Sequence, residues 1–343
     1  MLRDALKVDP NDQTAQFLLG SLYLSSGLVE PAVDSWQQVR RSQSHIPVLH
    51  RNLGLTLLQR GDYAESRAVL EEGLSSDKDN VDVYLALDAV LSAVGGSARE
   101  RAAALGRFPS AGPDPPAALA FKSAFALAEA GDAPAAEHVF HDRFFPREEG
   151  GTNVRTVYAA MRLILAHNAA STGKCVAAQQ ILDSFSGEQP GLPFTNGGLA
   201  DVVASPALSL QAAEIESACG RSESAQARWE KLARPLESDG APLTLAIADT
   251  AARRLGRTRS AAERARLELA LENATATLES AGTSSPGIVE YARGVLLAAL
   301  GKHAEARDSL RRVFTYPDRG LSHVLARRAL QSLASRENVS KSR

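Results

Sequence analysis

Apolar residues recur along this chain at helical spacing, and the helical stretches come in pairs. One phrase occurs twice in the first 80 residues: Leu19-Gly20 leads to Tyr23, Gly27, Ala32 and Trp36, and Leu53-Gly54 leads to Leu57, Gly61-Asp62-Tyr63, Ser66 and Leu70. Gly20 to Gly54 is 34 residues, and so is Gly27 to Gly61. The spacing predicts one buried face per helix. Gly27 and Gly61 fall where a first helix must end, in the left-handed conformation that glycine adopts without penalty. The expected unit is a helix, a tight turn and an antiparallel second helix. Gly20 and Gly54 in the first helix, with Ala32 and Ser66 in the second, allow close approach; Tyr23, Trp36, Leu57 and Leu70 fill the wider gaps. Asp62 is expected to cap the second helix of its pair.

Glycine turn marks continue at Gly95, Gly131, Gly173, Gly220, Gly256 and Gly301, with successive spacings of 34, 34, 36, 42, 47, 36 and 45 from Gly27 onward. Eight hairpins fit, regular at first and stretched in the middle. Residues 12–115 read as regular repeats, 116–285 as degenerate hairpins with long loops, and 286–335 as a last repeat (Gly294, Leu297, Gly301, Ala306, Leu310) with a closing helix. That helix carries an apolar stripe of Val324, Leu325, Ala329 and Leu333, and residues 336–343 read as a disordered tail. In the third repeat Asp88 stands where a small residue belongs, so its carboxylate must be hydrogen-bonded or half exposed. Three insertions stretch the array, at 106–116, 144–152 and 186–198. Long loops in a compact array are often functional; drift in a tolerant scaffold is the alternative.

The 34-residue period and its Gly, Ala and aromatic positions resemble the tetratricopeptide repeat. The resemblance implies an all-α, right-handed superhelix of about eight hairpins plus a capping helix, serving as a non-catalytic scaffold that binds a protein or peptide. Residues 1–11 match the tail of a truncated repeat, so the chain is expected to be the C-terminal part of a longer protein. A narrower resemblance rests on three separated stretches: 45–54 (with Pro47, His50-Arg51-Asn52 and Leu53-Gly54), 84–109 (Tyr84 to Asp88, Glu100 to Leu105, Phe108-Pro109), and Arg143 to Gly151. These are similar to large bacterial proteins in which a β-rich domain of unknown function precedes a C-terminal tetratricopeptide array. The last stretch departs from the group, with Arg147 in place of an aromatic residue and one extra Glu. This resemblance implies docking to a missing N-terminal β domain. As an alternative, it implies a helical accessory region of a carbohydrate-active or carbohydrate-binding polypeptide.

Composition narrows the partners. A net charge of −2 with 5% aromatic residues does not favour nucleic acid, which selects basic faces with stacking residues. No run of 18 apolar residues occurs, so no membrane span is expected. The N-terminus does not read as a signal peptide, and a cytoplasmic location is favoured, although a fragment's start says nothing of its parent. Cys175 and Cys219 lack metal-ligand spacing and are expected to be buried free thiols. No phosphate loop, nucleophile elbow, dinucleotide fingerprint or zinc pattern occurs, so neither enzyme activity nor a cofactor is expected.

The candidate partner-binding residues are His50, Arg51, Asn52, Arg147, Glu148 and Glu149. His50 fills a slot that usually holds Trp and is expected to be half-buried packing. Arg51 and Asn52 are expected to lean into the concave groove, able to hold a carboxylate or a peptide backbone; ordinary polar surface is the alternative. The carboxylate clamp of chaperone-binding arrays is not present, since its positions hold Phe17, Ser21, Asp82 and Ala86. Arg147, Glu148 and Glu149 lie in a Gly-flanked loop suited to contact with a neighbouring domain rather than to paired-carboxylate chemistry. His138 and His141, three apart, read as a solvated helix face. Arg253, Arg254, Arg257, Arg259, Arg264 and Arg266 read as a salt-bridged face neutralised by Glu263 and Glu268, with an acidic partner as the alternative.

Overall fold

The computed structural model describes the chain except residues 43–45, 47, 110–114, 142, 146–152, 235–239, 281–285, 317–320 and 342–343, with side chains described as far as residue 334. Among the described residues there are nineteen α-helices and no strand. They fall into two compact units, Met1–Leu119 and Ala120–Arg343.

The first unit opens with α1 (Leu2–Val8), which buries none of its residues. Three hairpins follow: α2 (Gln13–Ser25) with α3 (Val29–Arg41), α4 (Leu49–Arg60) with α5 (Tyr63–Ser76), and α6 (Val81–Ala93) with α7 (Ala98–Leu105). The second unit begins within α8 (Ala117–Glu129), which turns into α9 (Ala133–His138). Then come α10 (Val154–Ser171) with α11 (Cys175–Asp183), a short α12 (Ala200–Val203), and α13 (Pro206–Ala218) with α14 (Ser222–Ala233). The last pairs are α15 (Pro242–Arg254) with α16 (Ala261–Glu279) and α17 (Pro286–Ala299) with α18 (His303–Arg312), followed by α19 (Ser322–Lys341). The eight hairpins expected from the turn glycines are all present.

One backbone device builds every turn. All eight marked glycines have φ between 70° and 92°. At Gly61 the glycine N–H donates to the Leu58 carbonyl at 3.1 Å, and the next N–H, of Asp62, reaches back to Leu57 at 2.9 Å. Together these satisfy two carbonyls that the helix end would leave open. The same two bonds recur at each of the other seven turns.

Seven residues before each turn glycine lies the helix–helix contact point. A Cβ added to Gly20 would come within 2.6 Å of the Trp36 ring, one on Gly54 within 2.6 Å of Leu70, and one on Gly294 within 2.8 Å of Leu310. Ala124, Ala166 and Ala213 fill the slot in repeats four to six, each completely buried. Asp88 and Asp249 fill it in repeats three and seven. The Asp88 carboxylate accepts from Arg101 Nε at 2.8 Å, with both side chains buried. Asp249 is held by Arg253 at 2.9 Å and by Arg259 at 2.5 Å.

Three expectations need correction. Asp62 sits at the N-cap of α5 but makes no capping bond; its carboxylate pairs with Arg60 instead. Asp132, at the equivalent place before α9, does cap, accepting from Ala135 N at 3.2 Å. Cys175 and Cys219 are neither free nor fully buried. They form a disulfide with Cα atoms 5.3 Å apart, joining the first residue of α11 to the end of α13. The closing helix does not end at 335: its backbone continues to Lys341.

The 186–198 insertion is folded into the second unit. Leu192 and Thr195 are buried, and Thr195 Oγ1 ties the loop by accepting from Gln189 N at 2.8 Å. Phe194 packs on Phe140, Phe145 and Tyr158 at centroid distances of 5.5–6.3 Å. Offset and edge-on ring contacts of this kind add to the burial they accompany.

Candidate functional site

Helix α4 owes its orientation to Leu49, Leu53 and Leu57. All three are buried against Trp36, Val39 and Val69. With that stripe turned inward, Arg51 and Asn52 emerge half-exposed on the flank. Arg51 Nη1 donates to Asn52 Oδ1 at 3.2 Å. Its Nε lies 3.8 Å from Asp82 Oδ2, in the first turn of the neighbouring first helix α6. These three polar side chains therefore meet between the first helices of consecutive repeats. Asp82 entered the sequence reading only as a departure from a known clamp. Its role as acceptor depends on how α4 and α6 sit side by side.

His50 does not join them. Its ring lies towards α5, with Nε2 3.5 Å from Glu72 Oε1, and a Cβ on Gly73 would come within 2.6 Å of the His50 Cβ. Arg40 holds the same Glu72 at 2.7 Å. Partial burial raises the Glu72 pKa, but the Arg40 bond and charge, helped by His50, bring it below the usual glutamate range. The clamp positions are otherwise engaged in packing. Phe17 is buried against Trp36, Ser21 Oγ donates to the Phe17 carbonyl, and Ala86 is buried.

A family model described as tetratricopeptide repeat matches residues 52–80, most of α4 and all of α5. Residues 52–80 form a tetratricopeptide repeat. Among solved structures, a tetratricopeptide repeat protein from Parabacteroides merdae is similar over 83% of this chain and 98% of its own, at 14% identity and a TM-score of 0.49. Yeast Tom70 is similar over 95% of this chain and 66% of its own, at 14% identity and a TM-score of 0.31. No curated protein matches the chain. Arg51 immediately precedes the matched repeat, Asn52 opens it, and Asp82 lies just beyond it.

The remaining candidates scatter. Arg147, Glu148 and Glu149 lie outside the described residues. His138 and His141 do not share a helix face: α9 ends at His138, and His141 sits past it beside Gly191. Among the described residues no group of three His, Cys, Asp or Glu side chains could hold a metal ion, and no helix is long and apolar enough to cross a membrane.

The arginine stretch is engaged in ion pairs, but not mainly by the expected glutamates. Asp249 takes Arg253 and Arg259, Glu214 takes Arg254 at 2.7 Å, and Glu268 takes Arg264 at 3.0 Å. Glu263 instead closes a capping box with Ser260 at the start of α16. Asp249 and Glu214 were missed because they sit on first helices: Asp249 lies four residues before Arg253 and 10 before Arg259, and Glu214 lies 40 before Arg254.

Proposed function

We propose that this chain is a non-catalytic protein-interaction scaffold whose first unit holds a peptide segment on the α4–α6 face. The observation that carries the reading is the Arg51–Asn52–Asp82 cluster beside the tetratricopeptide repeat. Exposed ion pairs at such a distance contribute little, so Arg51 exchanges Asp82 readily for a partner's carboxylate. The Asn52 amide supplies a donor and an acceptor for peptide backbone. The partner is a segment of another protein or a domain that precedes these repeats in a longer polypeptide.

The Cys175–Cys219 disulfide supports an oxidising compartment rather than the cytoplasm favoured on sequence grounds, since disulfides persist where thiols are not kept reduced. The test of the binding role is a peptide array probed with the wild-type chain and with the Arg51→Ala/Asn52→Ala variant. Spots bound by the wild type and lost with the variant support the α4–α6 face. An identical pattern removes it.

A further inference from the structure

The second unit contains a cavity of about 530 Å³ between the first helices α10, α13, α15 and α17 and the closing helix α19. Its lining is mixed. Leu210, Ile247, Val295 and Leu333 supply apolar surface, while Glu214, Arg253, Arg254, Tyr291 and Arg328 supply the polar groups, with His167 at the α10 side. Burial lowers the His167 pKa, so its ring is neutral near pH 7. Three arginines against one glutamate then leave the lining net positive.

The arginines are not equivalent. Arg253 is held by Asp249 and Arg254 by Glu214. Arg328, on α19, donates to the neutral Gln211 Oε1. Glu129 and Glu214 both act on its charge, but each is already bonded elsewhere, Glu129 to Arg327 at 3.0 Å and Glu214 to Arg254. A guanidinium has five donors, and one amide oxygen engages few of them. Facing the same space is Tyr291, 9% exposed, whose hydroxyl has no hydrogen-bond partner among the described residues. Burial, with Glu214 adding to it, pushes the Tyr291 pKa upward, so the phenol remains a donor at neutral pH.

We infer that this cavity binds a carboxylate carried on an apolar body, with Arg328 and Tyr291 donating to the carboxylate and the Leu210, Ile247 and Val295 surface taking the body. An unpaired cation, an unpaired phenol and apolar walls converge there, and a planar oxyanion is the group that satisfies both donors at once. A cationic ligand would meet the net positive lining, and a wholly apolar one would leave the Tyr291 hydroxyl buried without a bond. The site lies within the second unit and does not depend on the peptide-binding role of α4 and α6.

The test is calorimetric titration of the full chain with phenylbutyrate and with the corresponding alcohol, phenylbutanol. The expected result is saturable binding of the acid, with the alcohol weaker by at least about tenfold. Arg328→Gln should abolish the preference for the acid, and Tyr291→Phe should weaken acid binding several-fold. If Arg328→Gln loses helical signal, Tyr291→Phe carries the test alone. Competition by an apolar pentapeptide with a free C-terminus, but not by its amide, assigns the carboxylate to a chain terminus; no competition by either assigns it to a small free acid. Equal affinity for acid and alcohol, no binding of either at about 10 mM, or unchanged acid binding by both variants overturns the proposal.

Discussion

Asp88 and Arg101 form a buried ion pair, Oδ1 to Nε 2.8 Å, at the point where the first and second repeats bring glycine against a large side chain. Sixteen residues after the contact slot, where repeats one and two place Trp36 and Leu70, repeat three has Ala104. The volume has moved to the other helix: a carboxylate replaces glycine, alanine replaces the bulky residue, and Arg101 completes the contact. Removing only the arginine takes from this buried carboxylate the guanidinium bonded to it at 2.8 Å. Arg101→Met is therefore expected to cost ~3–5 kcal/mol. The double variant Asp88→Ala/Arg101→Met should be less destabilised than Arg101→Met alone. Chemical denaturation of the three proteins checks the order, and a double variant at least as unstable as the single one would refute it.

Gly54 and Leu70 make the tightest version of the glycine contact. An added Cβ would meet Leu70 Cγ as well as a terminal methyl, both at 2.6 Å, so the leucine cannot yield by rotating its end alone. Gly54→Ala should cost ~1–3 kcal/mol through overpacking. Combined with Leu70→Ala, its cost should fall by at least about 1 kcal/mol, because the two side chains share one space. A double-mutant cycle in urea measures that coupling.

The disulfide spans 44 residues and closes a loop that includes the folded 186–198 insertion. Constraint of the unfolded chain by a loop of this size contributes ~2–4 kcal/mol. Cys175→Ser/Cys219→Ser should show that loss at any redox state, while reductant should destabilise only the wild type. Denaturant midpoints with and without reductant make the comparison.

Helix α16 carries a pH-dependent start. The Glu263 carboxylate accepts from Ser260 N at 2.7 Å, and Ser260 Oγ accepts from Glu263 N at 3.2 Å. The Ser260 bonds, with smaller help from Arg266 and Arg257, lower the Glu263 pKa. A lowered folded-state value means that the stabilisation is complete above the unfolded value, about 4.3, and is lost as pH falls through the folded one. Glu263→Gln should therefore destabilise at pH 7, and the difference from the wild type should shrink as pH falls below the unfolded value, read as thermal midpoints across an acid titration.

The sequence made the turns and the contact slots legible because both are set by local chemistry. A left-handed residue is needed at Gly61, and a missing side chain is needed at Gly54. It also flagged Asp88 as requiring a partner, without identifying Arg101. What it did not reveal depends on pairing across elements. The Cys175–Cys219 bond joins helices separated by an irregular insertion, so no period relates the two residues. Asp249 repeats the Asp88 device but lies in a hairpin whose other signals have drifted. Arg51 and Asn52 were visible as polar residues beside an apolar stripe, whereas Asp82 meets them only once α4 and α6 are adjacent. His141 shows the reverse error: three residues from His138 in sequence, it lies past the end of α9 and shares no helix face with it.

The central claim is that the α4–α6 face recognises peptide through Arg51 and Asn52. Calorimetric titration of the tightest array peptide into the wild-type chain and into Arg51→Ala/Asn52→Ala, with melting temperatures taken on the same samples, tests it most directly. The account predicts at least about tenfold weaker binding by the variant with no change in melting temperature, because both side chains are half-exposed. Unaltered affinity, or a loss of affinity that tracks a loss of stability, would contradict it.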